Sequence, residues 1–455
     1  MNSPVILHID MNSYFASVEQ QANPFLRGRA VGVCAYLSEN GCILASSMEA
    51  KTHGVKTGMR VREARHLWPE TVFLQNDPPK YRSVTQAVFN ILAQYSDRIE
   101  PYSIDEAFLE LTGYAKNLEE GLRIGREINR RIKSEVGEWL RSSAGVAPTR
   151  FLAKLASDTG AKDSVTILPP TSVPQYLHAL DLEDIWGIAR ATRVRLAKLG
   201  IQTPLQFRDA APAPILSALG KYGYYLWASL NGIELYGPKR TELHRAQNLS
   251  ANSPHPSGAK PRSEDHSLPF PSSWSSATGA KSIGHSYCLP KKTKDKSYLA
   301  AILMKLCEKT GRRLRAHLFE ARSLSVSWGY AQGGVDGAHR RLPAPLWDSW
   351  EIFTSAYRPL AACALTDRVS FLAVSVTHFS PPSPQPSLFP SEDHSQQKKR
   401  SLTRALDALN NKWGDYTVIR GAMFGTYDNA PDRIGYRKSL SAPQVANDLT
   451  AHPLV

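Results

Sequence analysis

Residues 238–280 are rich in Ser, Pro, His and Lys and carry too little apolar periodicity to offset the entropy of ordering them. A stretch of that kind inside a 455-residue chain divides it, because no single core runs through such a linker. Length agrees: cores stop growing at about 250–300 residues, so about three compact units are expected. A second Pro/Ser-rich stretch at 381–397 precedes a C-terminal segment in which residues 402–412 read as a short amphipathic helix. Near the start, residues 4–9 form an apolar run that stops at Asp10, and residues 13–21 open a helix. Two β-rich runs, 31–36 and 42–47, flank a polar turn and predict a hairpin. Residues 80–95 and 118–140 carry helical periodicity that suits covering one face of a sheet. Between them, residues 99–111 are strand-like in composition but interrupted by the adjacent acids Asp105 and Glu106. The first 165 residues therefore read as an α+β unit. Beyond residue 170 the pattern turns helical, with residues 180–199 closed by Gly200. Residues 281–380 recover a helix at 297–317 and strands near 324–328 and 371–377.

Lys and Arg number 55 against 41 Asp and Glu, a formal charge of +14. Basic surface gains affinity for a polyanion by releasing condensed counterions, so nucleic acid is the favoured partner ahead of a membrane. The five cysteines, Cys34, Cys42, Cys288, Cys307 and Cys363, are odd in number and lack CxxC spacing. They read as buried thiols of a reducing compartment. No basic flank leads into a cleavable apolar stretch at the N-terminus, and no run of 18 apolar residues occurs. The expectation is a cytoplasmic chain with no membrane segment.

Asp10 ends one predicted strand, and Asp105 with Glu106 interrupts another about a hundred residues later. Paired Mg2+ ions about 3.5–4 Å apart need several carboxylates converging from rigid elements, and adjacent strands supply that geometry. The same residues also suit a helix N-terminal acid and a solvated hairpin edge. Spacing alone leaves both readings open.

The wording of the segments is more specific. HIDMNSYFASVE at 8–19, GCILASSMEAKTHGVKTGM at 41–59, PYSIDEAFLELTG at 101–113 and FLAKLASD at 151–158 resemble, in this order, the Y-family translesion DNA polymerases. IWGIARATRVRLAKLGIQT at 185–203 is similar to that family's thumb, and KSIGHSY at 281–287 to the opening of its little finger. The resemblance is to the UmuC/DinB type. EAK at 49–51, the tryptophan of IWGI and the GC of NGCIL bring it closer to the UmuC-like branch. It implies a multidomain α+β fold, a right-hand polymerase with a helix-hairpin-helix thumb and an α/β little finger. The palm would span 1–29 and 75–165, the fingers 30–74, the thumb 166–237, the linker 238–280 and the little finger 281–380. A flexible tail at 381–397 and a C-terminal segment at 398–455 would follow.

Carried across residue by residue, the resemblance makes Asp10, Asp105 and Glu106 the catalytic acids holding two Mg2+ ions, with the Met11 backbone carbonyl completing one site. Phe15 falls where the family keeps an aromatic beneath the incoming sugar, a steric gate against a 2′-hydroxyl; core packing of a helix face is the alternative. Met48-Glu49-Ala50-Lys51 replaces the family's frequent YEAR motif, leaving Lys51 as a phosphate ligand that acts as a point charge without arginine's planar fork. Thr159-Gly160-Ala161-Lys162-Asp163 replaces the common KPxG, and Lys162 is the candidate to reach the triphosphate.

In the thumb, Gly187, Ile188 and Ala189 resemble the hairpin that aims backbone N–H groups at a DNA phosphate, with Ala189 where a second glycine is usual. Lys291, Lys292, Lys294, Lys296, Lys309, Arg312, Arg313 and Arg315 put basic groups on the third unit. Gln385, Leu388 and Phe389 resemble the QxxLF peptide by which bacterial polymerases bind the sliding clamp. The implied partners are primer–template DNA, deoxynucleoside triphosphates, the clamp, and an UmuD-like subunit with a recombinase filament. The implied activity is template-directed, low-fidelity synthesis opposite damaged bases. Retention of the fold and clamp peptide without polymerisation, as a non-catalytic mutasome adaptor, is the alternative.

Overall fold

The computed structural model describes residues 4–234, 282–381, 390–427 and 429–430, apart from the side chains of residues 390–396. The linker expected at 238–280 and the peptide Gln385, Leu388 and Phe389 lie outside the described residues. Two compact units divide between Arg262 and Ser263, where about three were expected. The helices after residue 170 share a core with the first sheet, through Ile6, Phe108, Phe151 and Leu152 beside Leu182, Ile185, Leu196 and Leu226.

The first unit begins β1 (Ile6–Met11), α1 (Tyr14–Ala22), β2 (Val31–Cys34), β3 (Ile43–Ser46), α2 (Met48–Thr52), α3 (Val61–Leu67) and β4 (Val72–Gln75). It continues α4 (Pro78–Leu92), β5 (Ile99–Pro101), β6 (Glu106–Glu110), α5 (Leu118–Arg131), β7 (Ser142–Ala147), α6 (Arg150–Thr159) and β8 (Val165–Ile167). Four helices follow: α7 (Val173–His178), α8 (Arg190–Ala197), α9 (Pro204–Asp209) and α10 (Pro212–Leu230). The main sheet has the order β5-β6-β1-β7-β8, and a small sheet, β3-β2-β4, contains the predicted hairpin.

The central strands β1 and β7 are nearly buried throughout, since helices cover both faces of the sheet. β7 reads SSAGVA, small residues that let α6 lie close. At Gly145 an added Cβ would come within 2.0 Å of the Ala153 carbonyl oxygen, so only glycine permits that approach. α5 starts on an Asn117 cap with Glu119 and Glu120 in its first turn and ends with Arg130 and Arg131, complementing the helix dipole. Its regular hydrogen bonding ends at Arg131 and passes into a wide π-turn over Ile132–Val136, short of the predicted end at residue 140. The helix predicted over 180–199 is interrupted: only α8 is regular, because Gly187 adopts φ +97° in the preceding turn.

The second unit runs β9 (Ser282–Thr293), α11 (Lys296–Ala316), β10 (Glu320–Tyr330), β11 (Val335–Leu346), α12 (Ser349–Ala362), β12 (Val369–Ser380) and α13 (Pro390–Trp413). Its antiparallel sheet has the order β11-β10-β12-β9, with α11 and α12 packed together on it. Two expectations change here. Arg315 is buried and donates to both carboxylate oxygens of Asp407 at 2.6 and 2.8 Å, while Arg312 reaches Asp415 at 2.6 Å. These two arginines tie α13 and the turn after it to α11 and are not surface charge. The cysteines are all free, but only Cys34 and Cys307 are buried; Cys288 is exposed because strand alternation turns it outward, and Cys42 lies exposed just before β3. Among the described residues no helix is long and apolar enough to cross a membrane.

Candidate functional site

β1 pairs antiparallel with β6 in a register that sets Asp10 directly across from Glu106 and His8 across from Phe108. Residues opposite in such a pair project to the same face, so His8, Asp10, Glu106 and Phe108 share one side of the sheet. Asp105 lies in the turn before β6, not in the strand. That turn is tied by the N–H groups of Tyr102 and Ser103 donating to the Glu106 carbonyl, and Met11 N–H donates to the Asp105 carbonyl at 2.9 Å. The turn thus brings the third acid beside the end of β1. The Ser103 hydroxyl donates to the Asp105 carboxylate.

α6 covers this face. Lys154 Nζ lies 2.7 Å from Glu106 Oε2 and 3.3 Å from Asp158 Oδ1. His8 is fully buried, with Nε2 at 3.2 Å from the same Glu106 oxygen and Nδ1 at 2.6 Å from Ser157 Oγ. His8, Lys154 and Ser157 were not singled out from the sequence. The available signal was the lysine in FLAKLASD, on a helix face otherwise buried, since a buried lysine requires an anion.

The electrostatics split the acids. Burial, then the charge of Asp105, pushes the Asp10 carboxyl up to about 8. Burial also raises Asp105, against the pull of the Ser103 hydrogen bond. For Glu106, burial is outweighed by the His8 hydrogen bond and the Lys154 charge, which together hold it down at about 2. Burial lowers His8 and favours its neutral form. Lys154 is raised, since the Asp158 and Glu106 charges overcome its burial.

Among the described residues no three His, Cys, Asp or Glu side chains are drawn together as a ready-made metal cage. One oxygen of Glu106 is turned to Lys154 and His8 instead. The donor set nonetheless fits a hard divalent cation. Asp10, Asp105 and Glu106 offer only oxygen ligands, as Mg2+ prefers, and Asp10 and Asp105 are raised first by burial and then by the neighbouring acids, so bringing a cation there would favour their ionised forms.

Of the two candidate lysines, Lys51 feels the charge of Asp10. Lys51 on α2 donates from Nζ to Ser13 Oγ at 2.8 Å. Burial and then the nearby charge of Lys162 lower Lys51. Lys162 Nζ reaches the Asp158 carbonyl at 3.3 Å. Phe15 on α1 is half-buried and stacks on Tyr81, centroids 4.4 Å apart and planes 14° from parallel. Tyr81 is fixed by its hydroxyl bond to Glu19 Oε1 at 2.8 Å. In the hairpin before α8, Ile188 is buried and its N–H donates to the Ile185 carbonyl at 2.9 Å, which withdraws that donor from any ligand. The Gly187 carbonyl accepts from Tyr222 at 2.9 Å. Ala189 is the N-cap of α8 and gives no side-chain cap, so the first N–H groups of α8 have no cap from it.

Residues 9–158 match the model of the impB/mucB/samB family, and residues 280–388 that of the impB/mucB/samB family C-terminal domain. A protein of Moorella thermoacetica named DNA polymerase IV is 30% identical over 91% of this chain and 95% of its own length. Another so named, from Desulfatibacillum aliphaticivorans, is 28% identical over 93% of this chain and 98% of its own. Among solved structures, a Y-family DNA polymerase chimera of Dbh and Dpo4 superposes with a TM-score of 0.65 at 23% identity, covering 83% of this chain and 100% of the chimera. An insertion ternary complex of Dbh DNA polymerase gives 0.51 at 22% identity, with 83% and 100% covered. Both share the fold.

The raised Asp10 carboxyl has a consequence for stability without metal. Folding favours its protonated form, so its contribution is fully present below the ordinary aspartate value near 4 and is lost as pH rises through about 8. Glu106 acts oppositely, and its contribution is lost only as pH falls toward about 2, outside that window. In chelator, the melting temperature of the wild-type chain should fall relative to Asp10→Asn between pH 4 and 8. Parallel melting curves for the two proteins across that range would contradict the assigned environment of Asp10.

Proposed function

The chain belongs to the Y-family of translesion DNA polymerases and is a DNA-directed DNA polymerase, and from that premise we propose that Asp10, Asp105 and Glu106 hold two Mg2+ ions and form its catalytic centre. The observation that carries this is the register of β1 on β6, which sets Asp10 against Glu106 and places Asp105 one residue away. Ions bound there would activate the primer 3′-hydroxyl and neutralise charge on the in-line pyrophosphate leaving group. The Met11 backbone carbonyl adds an oxygen ligand at the end of β1. Lys154 keeps Glu106 ionised. Lys51 and Lys162 bind the triphosphate as point charges; their mutual repulsion is relieved when an anion enters between them. Phe15, backed by the Tyr81 ring, closes the space that a 2′-hydroxyl would need.

We assign residues 1–29 and 75–165 to the palm, 30–74 to the fingers, 166–237 to the thumb and 281–380 to the little finger. The five-stranded sheet, apart from the last two residues of β8, lies within the first range, and the three-stranded sheet, apart from its last residue, within the second; both support this division. DNA phosphate meets the hairpin of Gly187, Ile188 and Ala189 through the open N-terminus of α8, not through the Ile188 N–H. Glu49-Ala50-Lys51 and Trp186 support a place near the UmuC-like branch, with an UmuD-like subunit and a recombinase filament as partners. A cytoplasmic setting suits the free thiols. Gln385, Leu388 and Phe389 supply the clamp-binding peptide.

Three measurements test this reading. Asp105→Ala should abolish primer extension in Mg2+ while primer–template affinity stays nearly intact, since phosphate contacts hold DNA independently of the acids; extension near the wild-type rate removes the metal assignment. Phe15→Ala should raise ribonucleotide incorporation relative to deoxynucleotide, whereas a loss of equal size on both substrates means the ring serves packing alone. Leu388→Ala with Phe389→Ala should remove clamp-stimulated synthesis and spare unassisted extension on short primed templates, because a few buried anchors dominate small interfaces. Clamp stimulation that survives the double substitution assigns clamp binding to another segment.

A further inference from the structure

Glu106 is gripped on one side only. His8 Nε2 and Lys154 Nζ converge on Oε2, at 3.2 and 2.7 Å, and no hydrogen bond or ion pair within the described residues takes Oε1. Lys154 supplies charge, but its ammonium sits on a flexible stem and also serves Asp158 at 3.3 Å. A rigid ring fixes direction better. His8 is fully buried on the strand that carries Asp10, and its ring is wedged against Phe108 with centroids 4.4 Å apart.

Counting protons sets the direction of each bond. An ionised carboxylate only accepts, so His8 Nε2 carries the hydrogen that faces Glu106. In the neutral imidazole Nδ1 is then bare and accepts from the Ser157 hydroxyl, 2.6 Å away. Ser157 Oγ also lies 2.8 Å from the Lys154 carbonyl oxygen, but its one proton serves one acceptor at a time. A continuous line results: Ser157 O–H to His8 Nδ1, then His8 Nε2–H to Glu106 Oε2. Gly145 makes the line possible by letting α6, and with it Ser157, approach the sheet.

We propose that His8, oriented by Ser157, is a positioning residue that locks Glu106 Oε2 and leaves Oε1 as the oxygen presented to the divalent cation. This rests on the metal-binding reading of Asp10, Asp105 and Glu106. Hydrogen-bond partners behind a metal-binding carboxylate fix its orientation, and their loss typically costs about 10–100-fold in metal affinity.

The test measures Mn2+ binding from the free-ion electron paramagnetic resonance signal. It uses the full chain with a dideoxy-terminated primer–template and a non-hydrolysable deoxynucleotide analogue, so no turnover contributes. His8→Gln keeps an N–H where Nε2 stood; His8→Asn places its amide at the Nδ1 position and offers nothing to Glu106. We expect His8→Asn to weaken Mn2+ binding about 10–100-fold and His8→Gln to recover most of it, at matching melting temperatures. Ser157→Ala, which frees the ring, should fall between them. Equal affinities for the Asn and Gln variants, or losses that follow the melting temperature, overturn the proposal and leave His8 a packing residue. If the wild-type chain shows no Mn2+ binding that Asp10→Asn removes, the metal reading itself fails. If that binding exists and His8→Asn leaves it intact, only the role of His8 falls.

Discussion

Holding several carboxylates together in a partly dry place is costly, and the first unit is organised around that cost. The register of β1 on β6 brings Asp10 and Glu106 face to face, and the turn before β6 adds Asp105. Coulomb repulsion among them rises as water is excluded. One lysine enters from α6 to pair with Glu106, and the small residues of β7 let that helix come near enough to deliver it. Burial, with the neighbouring acids adding to it, raises both Asp10 and Asp105.

Positive charge near the acids comes in part from Lys51, which feels Asp10. Lys51 and Lys162 come from separate elements, and the charge of Lys162 adds to burial in lowering Lys51. Phe15 has its ring held by Tyr81, and Tyr81 in turn is held by Glu19, which Lys80 also pairs at 2.8 Å. Stacking and hydrogen bonding of this kind hold the Phe15 ring in one orientation.

In the second unit, charge is spent on assembly. Arg315 with Asp407, Arg400 with Glu320 at 2.6 Å and Arg420 with Asp348 at 2.9 Å attach α13 and the turn that follows it to α11, β10 and α12. Partly buried pairs of this kind fix geometry more reliably than they add net stability. Arg312 and Arg315 of α11 are thus consumed inside the unit, which a linear run of Lys and Arg does not reveal.

Local chemistry determined what the sequence made legible. The apolar run ending at Asp10, the hairpin at 31–47, the helices on either side of Asp105 and Glu106, and the ordered family segments all depend on residues near one another in the chain. They were sufficient for the fold class and for singling out Asp10, Asp105, Glu106, Phe15, Lys51 and Lys162 as candidates. Tertiary structure decided what depends on distant residues meeting. Asp105 belongs to a turn and Glu106 to a strand because of how β5 closes on β6. The helix predicted over 180–199 breaks because a backbone dihedral at Gly187 outweighs apolar periodicity. His8, Lys154 and Ser157 are separated by as many as 149 positions. Nothing in their local sequence marks them as one group; only the close packing of α6 on β1 and β7 brings their polar atoms within hydrogen-bond range of Glu106.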